Sequence, residues 1–120
     1  MTIEEQNQSL EQIKQYSNSG EFSINGQEYK LSGLSHQLRL EVLSVYSQIE
    51  ANLIMGNYGF LNRDDFKKVM TKIEDRVLFD NMQLSKLKHF EEYPENYLDF
   101  IAISMKVIVF PFYCKKLNQS

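Results

Sequence analysis

The dipeptide Asn25-Gly26, set between two short alternating segments, constrains this chain more than any other feature. Asn-Gly accepts the positive φ angles of a type I′ turn, whose twist matches the strands on either side, so Glu21 to Leu31 is predicted to form a two-residue β-hairpin. With that turn, Ile24 faces Gln27, Phe22 faces Tyr29 and Glu21 faces Lys30, giving an aromatic pair on one face and opposite charges on the other. Phe22, Ile24, Tyr29 and Leu31 then share one apolar face. Two strands alone are marginal in water, so that face must lie on helices or join further strands, including those of another subunit.

The rest of the chain reads as helical. Residues 2–16 form a polar, Gln-rich segment with sparse apolar positions (Ile3, Leu10, Ile13, Tyr16) and a Thr2 cap, so residues 1–20 are expected to be a leader, helical or flexible, ordered against a partner. After Ser32-Gly33, Ser35 caps a long helix to about Met55, with Leu38, Val42, Val45, Tyr46, Ile49 and Leu53 on one stripe widened by Leu40, Leu43 and Ile54. Gly56 stops it. Asn62 is expected to cap a third helix carrying Phe66, Val69, Met70, Ile73 and Val77 inward, followed by a shorter helix over Asp80–Tyr93. Tyr93-Pro94 opens the last helix, apolar around most of its girth and ended by Pro111, which must be central in its bundle or covered by something else. The fold class is α+β, predominantly α: an N-terminal hairpin, a bundle of about four helices and an optional polar N-terminal helix, with residues 21–120 as a single domain.

Composition narrows the function. Of 120 residues, Cys114 is the one cysteine, so an internal disulfide is excluded, in keeping with a cytoplasmic protein. The net charge of −3 arises in the first thirty residues, from Glu4, Glu5, Glu11, Glu21 and Glu28 against Lys14 and Lys30. Only Lys67, Lys68 and Lys72 cluster, beside Glu74 and Asp75, so no nucleic-acid partner is expected. The N-terminus lacks a basic region followed by an apolar one, which argues against secretion by a cleavable signal. Leu98 to Tyr113 is interrupted by Asp99, Lys106 and Pro111 and is shorter than the roughly 20 residues of a membrane span, so no membrane partner is expected.

Side chains for catalysis or cofactor binding are sparse. His36 reads as a helix-start residue and His89 as a packing or hydrogen-bonding one, since one histidine with Glu92 three residues on does not make a metal site. Cys114 has no recognisable base and reads as an inert thiol. Helix-start electrostatics accounts for Glu95 and Asp99, and neither a glycine-rich phosphate loop nor a nucleophile elbow occurs. No enzyme, metal or cofactor is expected. The aromatics crowd from Tyr58 onward, and most belong to the core. Phe110, Phe112 and Tyr113, set around a proline near the terminus, are instead expected at a surface, where aromatic side chains anchor partners.

Phe22, Ile24, Asn25, Gly26, Tyr29 and Leu31, then Leu34 and the helix after Ser35, resemble the strand pair and helical start of tail assembly chaperones of tailed bacteriophages. His89-Phe90, Tyr97 and the apolar helix ending at Phe110-Pro111-Phe112 are similar to the end of such proteins, so the likeness spans about residues 21 to 113. The Gln-rich leader departs from the pattern. The resemblance implies a non-enzymatic chaperone in the host cytoplasm that binds the tape measure protein, or another phage tail protein, while the tail tube polymerises around it. It also implies a homo-oligomer formed through the hairpin edge or the last helix. Phe22, Ile24 and Tyr29 are assigned to self-assembly, and Ile108, Phe110, Phe112 and Tyr113 to client or subunit contact. The competing reading is a small phage-encoded regulatory or inhibitory protein that binds a host protein. An enzyme using His89 with Glu92 would require a concave pocket joining those side chains.

Overall fold

In the computed structural model, which describes residues 3–118 and the side-chain burial of residues 11–113, the hairpin forms in the expected register. β1 (Glu21–Ile24) and β2 (Gln27–Leu31) pair antiparallel with Phe22 opposite Tyr29 and Glu21 opposite Lys30. The turn residues Asn25 and Gly26 have φ of 50° and 85°, the left-handed conformation that asparagine and glycine tolerate best.

The apolar face of this hairpin is met by strands and helices of the same chain. A second hairpin, β3 (Val77–Phe79) and β4 (Met82–Gln83), extends it to a four-stranded antiparallel sheet in the order β1-β2-β3-β4. This corrects the sequence reading, which placed Val77 in a helix and began another at Asp80. Val77-Leu78-Phe79 is too short to show alternation, and the turn that decides it is Asp80-Asn81, both at positive φ.

Among the described residues five α-helices accompany the sheet: α1 (Ile3–Ser19), α2 (His36–Met55), α3 (Asp64–Glu74), α4 (His89–Glu92) and α5 (Tyr97–Asn118). The polar leader is thus helical and packs against α5 of its own chain; the Thr2 cap lies outside the described residues. At α2 the Ser35 hydroxyl accepts from the Leu38 amide at 3.1 Å, and Gly56 ends the helix in the left-handed conformation. Asn62 does not cap α3. It closes a 3-10 turn over Tyr58–Asn62, and the capping position falls to Arg63. The segment read as one helix over Asp80–Tyr93 holds β4, a 3-10 turn and only the single-turn α4.

α5 is the central helix. α2 packs on one side of it, α1 on another, and β1 also touches it, burying Phe100, Ile101, Met105, Val107, Ile108 and Val109. A continuous cluster of buried apolar side chains runs from Phe22 to Val109, with Ile13 and Tyr16 of α1 packed against its margin. The stretch Pro94–Tyr113 has the length and hydropathy of a membrane crossing, and 44% of its apolar window is buried inside this fold.

Candidate functional site

The aromatic end of α5 is an extension that the sequence reading did not expect, because the helix passes through Pro111 rather than ending there. Proline offers no N–H to the Val107 carbonyl, and its ring pushes back the preceding turn. Arg39 on α2 meets that turn: its Nη1 donates to the Ile108 carbonyl at 2.6 Å. The carbonyl that Pro111 leaves without an amide is that of Val107, one residue before the one Arg39 meets, and α5 runs through the proline to Asn118.

This places the expected contact residues at different depths. Ile108 is fully buried, so its assignment to client contact is corrected to a core role. Phe110 and Phe112 are half-buried, and Tyr113 is 40% exposed. Phe112 packs beside His36, with ring centroids 6.3 Å apart. The phenol of Tyr46 on α2 lies near Tyr113, and burial, reinforced by a hydrogen bond to Glu50, pushes its ionisation well above the usual tyrosine range. The side chain of Cys114, read as an inert thiol, lies outside the described side chains.

The hairpin residues are not on a surface. Phe22, Ile24 and Tyr29 are at most 4% exposed, so their side chains hold one chain together and are not available to join two. Phe22 stacks on Tyr29 at 5.3 Å, and both approach Phe100 on α5. What the hairpin retains for self-assembly is the outer backbone of β1. Since Leu31 donates to the Gly20 carbonyl, the alternation of the ladder turns the Glu21 amide and carbonyl outward. The Ser19 hydroxyl accepts from that amide at 3.1 Å, and its one proton lies between the Gln15 carbonyl at 3.1 Å and the Glu21 carbonyl at 3.3 Å, so the edge is covered at Glu21 alone.

Beneath the hairpin runs a polar relay, exposed at Asn25 and buried at Asn96, Tyr29 and His89. Asn25 Nδ2 donates to Asn96 Oδ1 at 2.7 Å, and Asn96 Nδ2 donates to the Tyr29 hydroxyl oxygen at 3.2 Å. The Tyr29 hydroxyl is hydrogen-bonded to His89 Nε2 at 2.6 Å, the hydroxyl donating when the imidazole proton is on Nδ1. Burial lowers the ionisation of His89, against the opposing pull of Glu92 and Asp80, and burial raises that of Tyr29. The His89 ring is also walled by Phe79, Phe90 and Tyr93, with centroids between 4.5 and 5.0 Å away. The packing and hydrogen-bonding role expected of His89 is therefore what the structure contains. Asn96, fully buried at the start of the last helical segment, was missed. Pro94-Glu95-Asn96 reads locally as a helix start, and nothing nearby in sequence names Asn25 or Tyr29 as its partners.

A shallow cavity of about 160 Å³ does join His89 and Glu92, together with Phe79, Asp80, Met82 and Leu87. His89 Nε2 is already committed to Tyr29, however, and among the described residues no three His, Cys, Asp or Glu side chains converge as metal ligands.

One apolar surface escaped the sequence reading. Ile54, placed on the buried stripe of α2, is 76% exposed, and Met55 beside it is 66% exposed, with Tyr58 also outward. Ile54 falls in the last turn of α2, next to Leu53, which still packs against the core. Comparison with family models, curated proteins and solved structures finds no match.

Proposed function

We propose that this chain is a non-enzymatic tail assembly chaperone that holds a phage tape measure protein in the host cytoplasm through the aromatic end of α5. The observation that supports this reading most is the graded burial along that helix: Ile108 is locked in the core, while Phe110, Phe112 and Tyr113 emerge from it. Half-buried aromatic rings on a rigid helix lose little conformational freedom on binding, the property of interface anchors. A long helical client offers the complementary apolar stripe. Because the apolar face of the hairpin is used within the chain, the homo-oligomer we propose forms through the α5 end.

Affinity capture with the full chain from phage-infected cells, followed by mass spectrometry, tests this reading. Retrieval of a very long, helix-rich phage tail protein is the expected result. Retrieval of a single host protein in its place overturns the reading in favour of an inhibitor.

A further inference from the structure

The two helices that flank α5 fill their interfaces unequally. α2 buries Leu38, Val42, Val45, Tyr46 and Ile49. On the other flank α1 has 17 residues but only Ile3, Leu10, Ile13 and Tyr16 as apolar or aromatic members, and Ile13 and Tyr16 reach the core while staying partly exposed. On helical spacing, Ile3, Leu10 and Ile13 lie on a stripe whose intervening and following positions are Gln6 and Ser17. The seam is also open at its end: the last turn of α1, Val107 of α5 and Arg39 line a common cavity of about 280 Å³.

The ladder between β1 and β2 is made by residues outside α1. Leu31 bonds to the Gly20 carbonyl at 2.6 Å, so the strand ladder is anchored one residue beyond the helix. Gly20 has φ of 75°, a conformation open to glycine, and marks the pivot.

We propose that the α5 surface beneath α1 is a helix-binding groove with α1 as its displaceable resident, and that the partner it fits is an amphipathic helix with apolar side chains at all five positions of the stripe. The groove is already shaped to a helix, because a helix sits in it. The tether gives α1 the advantage of a high effective concentration. A competing helix that places leucine at the two polar positions gains roughly tenfold or more in affinity for each one it buries, which offsets that advantage. The α1 leader thus keeps the groove closed until a better helix arrives. This deepens the reading of the chain as a binder of helical clients and rests on it.

The test uses the full chain and a synthetic peptide of residues 3–19 carrying Gln6→Leu and Ser17→Leu. Hydrogen exchange on adding the peptide is expected to show α1 amides from Glu11 to Ser19 losing protection while β2 and Phe100–Val109 of α5 keep theirs. Ile13→Ser in the full chain, which weakens the resident helix, is expected to tighten peptide binding about tenfold. A peptide that fails to bind wild type, or binds while α1 protection is unchanged, overturns the proposal, and this decision does not depend on the variant folding. No phage protein enters the experiment, so the groove and the chaperone reading can fail separately.

Discussion

The Tyr29 hydroxyl is hydrogen-bonded to Nε2 of His89 at 2.6 Å, joining β2 to α4 between residues 60 positions apart in the chain. Tyr29 is also the acceptor of Asn96, so this hydroxyl connects the turn-to-helix contact Asn25–Asn96 with the aromatic cage of His89. The hairpin is therefore held from below by directed bonds as well as by burial.

Tyr29→Phe removes the hydroxyl while keeping the ring that stacks on Phe22. It leaves His89 Nε2 without a partner in a buried site, a loss of about 1–3 kcal/mol in a urea unfolding titration. In the Tyr29→Phe background His89→Leu is expected to cost less than it does in wild type, because the two side chains act as a pair.

The His89 pair also sets a pH dependence. Burial lowers the folded-state value of His89 below its ordinary 6.5, so in that region the unfolded chain binds the proton that the folded one refuses. Its contribution to stability is full above 6.5 and is lost as pH falls from there towards the lowered folded value. Glu74 acts in the opposite sense. Burial, helped by Asp75, raises it above 4.5, so its contribution is present at low pH and lost as pH rises through the raised value. The difference between wild type and His89→Gln isolates the histidine: the unfolding midpoint of wild type is expected to fall more steeply between about pH 7 and pH 5.5.

Gly20→Ala tests the pivot between α1 and β1. At φ of 75° an added Cβ would stand 2.8 Å from the Leu31 carbonyl oxygen, a strained backbone and a clash with main chain at once. More than about 1 kcal/mol should be lost, read as a lowered midpoint. Gly26→Ala, where a Cβ meets open space, bears only the conformational part and is expected to cost less.

Which parts of this architecture were legible depended on how local their causes are. The first hairpin, its register, the Ser35 cap and the Gly56 stop are each decided within a few residues, and each was read correctly. The second hairpin was not, because Val77-Leu78-Phe79 follows α3 in helical period and its strand character comes from pairing with Lys30 and Leu31. Pro111 reads as a stop from its local chemistry alone, whereas α5 runs through it, and the bond from Arg39 to the adjacent Ile108 carbonyl comes from another helix. The aromatic end of α5 was legible as a surface candidate from composition. The burial of Ile108 and the exposure of Ile54 were not, since each depends on how other elements pack against the helix and not on its own period.

That account of Pro111 makes its own prediction. Arg39→Met removes the donor to the Ile108 carbonyl and is expected to cost about 1–3 kcal/mol by urea unfolding. In a Pro111→Ala background, where a regular helical turn can re-form, the same change should cost less.

The central claim is that Phe112 and Tyr113, carried beyond the core by α5, hold the client. Its most direct test is co-expression of the full chain with a phage tape measure protein, quantifying the soluble client bound to wild type and to Phe112→Ser/Tyr113→Ser. The account predicts that wild type keeps the client soluble, and that the double variant, compared at a temperature at which its urea titration shows it folded, recovers at least tenfold less. A double variant that recovers as much client as wild type, or a wild type that binds none, contradicts it.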